Sequence, residues 1–175
     1  MNRVKKFVSV LMIFTILFSF TGCFFFSTTQ DEFKDALKDV LGVEEDQYMV
    51  AGYSSKNAPM TGCVASITYV GQVSCYYYEF DNSSNAYSYF KKHYALFEDD
   101  FEYALFSGEY QKSESGSRGY IYLDGTAKAG AKSFIGNGRV YGGVYFQDKT
   151  VVVVVTSTSP MLAEEFIEAI DYPHI

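Results

Sequence analysis

Tryptophan is absent from the 175 residues, histidine occurs twice and cysteine three times. With only His93 and His174, and no two cysteines in a CxxC spacing, the chain lacks the ligand sets of zinc and thiol-redox centres. The glycines at 136, 138, 142 and 143 spell neither GxGxxG nor GxxxxGK, so they mark strand or turn geometry, not a phosphate loop. No GxSxG nucleophile elbow occurs either, and Gly116-Ser117 sits in a plain polar turn. Acids gather at Glu44, Glu45 and Asp46, and again at Glu98, Asp99, Asp100 and Glu102, without the alternating Asp/Asn order of a calcium loop. They read as solvated charge. The sequence therefore assigns no catalytic residue, no metal ligand and no cofactor, and leans away from an enzyme.

Positive charge is scarce as well. Of 14 basic residues, Arg3, Lys5 and Lys6 stand together at the N-terminus; the other 11 face 21 acids, a formal net of −10. A surface of that sign repels nucleic acid and anionic headgroups, which argues against nucleic acid as a partner despite 16 Tyr and 16 Phe. Tyr is common in strands and covers half-buried surface well, so the aromatic residues point first to a sheet-rich domain. An aromatic binding face for sugars or peptides is the sharper alternative. It is less favoured because the Tyr residues spread along the chain.

After the basic triplet, residues 7–20 are apolar except for Ser9, Thr15 and Ser19, and Thr21, Gly22 and Cys23 follow. A basic start, an apolar run and small residues before a cut site are the parts of a secretory signal. The basic end stays in the cytoplasm because moving Lys and Arg across a bilayer is costly. The stretch Phe20-Thr21-Gly22-Cys23 resembles the lipobox of bacterial lipoproteins, with Phe20 where that family usually has Leu. The resemblance covers residues 1–23. It implies that the Cys23 thiol receives a diacylglyceryl group, that the chain is cut before Cys23, and that the domain faces outside the cytoplasm on a lipid anchor. A second reading stays open. Residues 7–26 form 20 consecutive uncharged positions, long enough to cross a bilayer uncleaved and leave the domain on the same side.

The expected organisation is a signal peptide over 1–22, the lipidated cysteine and a spacer over 23–30, and one domain over 31–175, a length that suits a single core. A first helix is expected near 31–41, from Phe33, Leu37, Val40 and Leu41, closed by Gly42. Residues 52–62 read as a loop and 63–80 as a hairpin turning near Gly71. A second helix should start at Asp81 or Asn82 and present Ala86, Phe90, His93 or Tyr94, Phe97 and Phe101 on one face. Strands are expected at 103–111, 118–124, 139–146 and 150–157, with KSESGS as a turn and 125–138 as a loop. Five consecutive valines, 151–155, imply a central strand buried on both faces. Ser159 and Pro160 should open a last helix with Leu162, Phe166, Ile167 and Ile170 turned inward, stopped by Pro173. The order α-ββ-α-ββββ-α makes the fold α+β, a largely antiparallel sheet packed by about three helices.

Cys63 and Cys75 form a candidate disulfide, since two cysteines remain once Cys23 is lipidated and the exterior tolerates such bonds. They would face each other on strands closed near residue 69. A two-residue turn at 70 and 71 would instead put Tyr78 opposite Cys63, and two buried free thiols are the third possibility. In function, the anchor, the small acidic domain and the missing catalytic patterns favour a non-catalytic binding or accessory module for a protein or small-molecule ligand. A small envelope enzyme with dispersed residues, or a structural or inhibitory envelope protein, are the alternatives.

Overall fold

The computed structural model describes residues 27–52, 62–132 and 137–172. The lipobox, Cys23 and Pro173 lie outside the described residues. Helix α1 spans Gln30–Leu41 and begins one residue before the expected start, because Thr29 is its cap. The Thr29 hydroxyl accepts from the Glu32 amide and the Glu32 carboxylate accepts from the Thr29 amide, so each satisfies a donor the helix end leaves bare. Asp31 and Glu32 in the first turn and Lys38 in the last complement the helix dipole. At Gly42, φ is +65°, and the Val43 amide donates back to the Leu37 carbonyl to close the helix.

Strand β1 (Met49–Gly52) is short and precedes the expected hairpin of β2 (Cys63–Tyr69) and β3 (Val73–Phe80). Helix α2 (Ser83–Glu102) follows, capped by the Asn82 side chain, which accepts from the Asn85 amide. Then come β4 (Phe106–Ser115), β5 (Arg118–Ala127), β6 (Gly138–Gln147), β7 (Thr150–Thr156) and helix α3 (Pro160–Ala169), with Pro160 in its first turn. KSES, expected as a turn, is the end of β4. Its side chains are exposed, so no alternation of apolar residues marks it as a strand.

The strands form one sheet of seven in the order β1-β2-β3-β7-β6-β5-β4, every pair antiparallel. The fold is α+β, as the pattern of elements implied. The five valines occupy β7, the middle strand. Successive side chains on a strand point to opposite faces, and here both faces are covered. Val152 and Val154 join Phe33 and Leu37 of α1 and Phe166 of α3 on one side. On the other, Val151 and Val153 join Phe90 and Phe97 of α2, with Phe146. Each fully buried Phe or Val contributes about 1.5–3 kcal/mol by leaving water.

Cys63 and Cys75 are both free and buried. The expected disulfide is not formed, for a geometric reason. Val70, Gly71 and Gln72 make a turn that sets Tyr69 opposite Cys75, and a register shift between Cys63 and Ala65 sets Cys63 opposite Phe80. That shift also turns Cys63 into the α2-side core while Cys75 faces α1 and α3. The two lie about 20 Å apart along the hairpin at ~3.3 Å per residue, against the roughly 6 Å between Cα atoms that a disulfide needs.

Candidate functional site

One end of the strands is where the chain enters the domain. Thr28 is buried there: its hydroxyl donates to the Ile170 carbonyl at 2.6 Å and its carbonyl accepts from the Tyr77 hydroxyl at 3.2 Å. The Gln30 amide donates to Glu79 at 3.2 Å beside it. Residues 28–30, expected as spacer, are therefore part of the domain. A cavity of about 340 Å³ opens among Ser27, Gln30, Asp31, Tyr77, Glu79 and Lys149. It lies against Ser27, where the preceding residues join the domain.

The opposite end of the sheet differs in character. Among the described residues, six of the seven exposed large apolar side chains stand at or near it: Met49 and Val50 on β1, Val70 in the β2–β3 turn, Phe101 and Tyr103 at the end of α2, and Met161 in the first turn of α3. A second cavity, about 190 Å³, opens at this end beside the Gln72 turn, the last residues of β7 and the start of β6. Arg139 lies on its lining. The Arg139 Nε donates to the Tyr141 hydroxyl, one Nη donates to Asp124, both at 2.9 Å, and the guanidinium lies 4.8 Å from the centre of the Tyr141 ring.

The acids expected as solvated charge divide by role. Asp100 is buried, and its two carboxylate oxygens share the single Lys132 amide N–H, at 2.9 and 3.0 Å. Glu98 pairs with Lys112, and Glu114 of β4 with Lys91 of α2 and with the Tyr87 hydroxyl. These exposed pairs brace α2 against β4 and, screened by solvent, add little to stability. Among the described residues no three His, Cys, Asp or Glu side chains lie close enough to share a metal ion. No described helix is long and apolar enough to cross a membrane.

Outside the surface pair of Lys112 and Glu98, the strongly displaced titrations belong to buried and half-buried groups. Burial pushes the Cys63 and Cys75 thiols up, so neither is a ready thiolate. Burial also raises the hydroxyls of Tyr77, Tyr145 and Tyr172, and that of Tyr122 to about 12. The Tyr145 hydroxyl has no hydrogen-bond partner among the described residues. His93 packs edge-on to Tyr89 at 4.6 Å, and burial, with Lys92 nearby, lowers its pKa to about 4. The unfolded chain takes up that proton first, near the ordinary value of 6.5. Stability from this residue is thus full above about pH 6.5 and is lost on the way to pH 4, by roughly 2–3 kcal/mol. Urea midpoints of the His93→Gln variant should fall less between pH 7 and 4 than those of the parent. Parallel curves would show that His93 is not held neutral by burial.

Cys23 lies outside the described residues, and Cys63 and Cys75 are buried core groups that line neither cavity. Arg139 carries no motif that marks it in the sequence. Its neighbours Ser74 and Thr156 come from strands distant in sequence, so only the register brings them together. No family model, no curated protein and no solved structure matches the chain.

Proposed function

We propose that this chain is a lipoprotein, exported, cut before Cys23 and held by lipid on that cysteine to the outer face of a membrane, where its domain is a non-catalytic binding or accessory module. The observation that carries this reading is the order of the first 23 residues: basic triplet, apolar run, small residues, cysteine. The position of Thr28 fits such a tether. Five peptide units separate it from Cys23, a reach of about 17 Å at full extension, so the anchor would hold the Thr28 end of the sheet beside the bilayer. The exposed apolar side chains and the cavity near Arg139 are then turned to the medium, as suits a module that meets a protein or a small molecule there. The acidic surface supports neither nucleic acid nor anionic lipid as the ligand.

Intact-mass analysis of the full chain extracted from membranes tests the anchor. A terminus at Cys23 carrying diacylglycerol is expected. A mass beginning at Met1 would establish the uncleaved span, and an unmodified Cys23 would end the lipoprotein reading.

A further inference from the structure

The two sides of the sheet are not covered alike. Helix α2 packs on β3, β7, β6 and β4, and on its side Ile121 and Leu123 of β5 are fully buried. On the other side α3 packs on β7 and β6, and α1 on α3, which leaves β5 and β4 without a helix over them. Glu164 of α3 marks the border, accepting from the Tyr122 hydroxyl at 3.5 Å. The register sets Gln111 of β4 opposite Tyr122 of β5, and Asp124 of β5 opposite both Glu109 of β4 and Tyr141 of β6. Opposite residues share a face, and Tyr122 belongs to the α1–α3 core, so all of these stand on the open side. Tyr120 and Arg139 join them by alternation along their strands. Tyr122 is buried, Tyr120 and Tyr141 are half-buried, and Glu109 and Gln111 are exposed. The Asp124 carboxylate is balanced by the Arg139 guanidinium at 2.9 Å, so the middle of this face carries no net charge.

We propose that this open face binds a short neutral oligosaccharide. The Tyr120 and Tyr141 rings receive the C–H faces of the sugar rings, and the planar groups of Gln111, Asp124 and Arg139 hydrogen-bond their hydroxyls. Arg139 uses Nε–H and one Nη–H on Tyr141 and Asp124. A guanidinium carries five N–H donors, so three are left for a ligand. From Tyr120 to Asp124 the strand runs about 13 Å, and the three strands together are about 10 Å wide, an area that suits a few linked sugar rings. A protein partner would bury an apolar core, and among the described residues none of the seven exposed large apolar side chains lies on β4, β5 or β6. An anionic chain would meet Glu109 and Glu164 at the borders, where like charge repels it. The proposal rests on the binding-module reading above and gives it a ligand class. It does not depend on Cys23, so the mass measurement and the binding measurement can fail separately.

The test is an amide-resonance titration of the isotopically labelled full chain in a detergent without sugar headgroups. Maltotriose, cellotriose and tri-N-acetylchitotriose are the neutral probes, and trigalacturonate is the anionic one. Saturable shifts are expected at Gln111, Tyr120, Asp124 and Tyr141 with at least one neutral probe, and at least about ten-fold weaker binding of trigalacturonate. Tyr141→Ala should weaken the neutral probe about ten-fold by removing one ring. Gln111→Ala, at an exposed position of the edge strand, leaves the fold in place and should weaken it about five-fold. Shifts confined to the surroundings of Val70 and Met161 would keep a binding module and overturn this face as its site. Absence of saturable shifts with every neutral probe, equal binding of trigalacturonate, or unchanged binding by either folded variant would also overturn the proposal.

Discussion

Replacing Gly143 with alanine should cost about 3 kcal/mol or more, and replacing Gly142 as much again. A Cβ at Gly143 would sit 1.8 Å from the Ile121 carbonyl oxygen of β5, and one at Gly142 would sit 2.1 Å from the Val154 carbonyl oxygen of β7. Both obstacles are backbone of a paired strand, so no side chain can swing aside. Relief requires prising β6 from a neighbour. Gly142 adds a φ of +109°, where an L-residue is strained by about 1–3 kcal/mol. Overpacking a closed interior typically costs a further 1–3 kcal/mol, a large part of the 5–15 kcal/mol that holds an ordinary domain together. Gly116 is the control: its φ is +59° in the β4–β5 turn, but a Cβ there meets nothing within 4 Å. Gly116→Ala should therefore lose only about 1–2 kcal/mol, the cost of the left-handed conformation. Urea unfolding of the three variants checks the order. Gly143→Ala with the midpoint of the parent would mean that β5, β6 and β7 are not paired in this register.

The same glycine pair shows how far the sequence could be read. It marks strand geometry, and that much was legible, but which neighbours press on it is a fact of strand order. The central placement of residues 151–155 was legible because only a strand buried on both faces can hold five valines. The helices were legible because each has its own apolar period, with Gly42 and Asn82 as local caps of the first two and Pro160 opening the third. The outer half of β4 was hidden for the opposite reason: an edge strand that buries little carries no alternation. Cys63 and Cys75 failed at the level of register. One longer turn and one bulge move a cysteine to the other face, and neither is written in residue type. Asp100 looked like its solvated neighbours because its partner, the Lys132 amide, lies in a distant loop. The candidate site was least legible of all. Gln72, Arg139 and Ser157 form no motif, and they meet only because β3, β7 and β6 end together.

That division of the core into two faces has a measurable consequence. Phe90 of α2 and Phe166 of α3 are both fully buried, on opposite sides of the sheet. Phe90 stacks on Phe146 at 5.7 Å, while Phe166 meets Phe33 edge-on at 5.3 Å. Truncating either to alanine removes a ring and leaves a cavity, at a cost of about 3–5 kcal/mol. Among the described residues the two sites share no ring partner, and stacked layers pack about 10 Å apart, so the losses should add to within about 0.5 kcal/mol. The double variant then loses about 6–10 kcal/mol, enough to unfold most domains of this size. Chemical denaturation of the two single variants, and of the pair in a stabilising osmolyte, reads the coupling. Additivity is the result expected of two cores separated by β7. A coupling above about 1 kcal/mol would mean instead that the valines pass strain through the sheet. Val152 would then respond to a cavity beside Val153, and the two faces would behave as one packing unit.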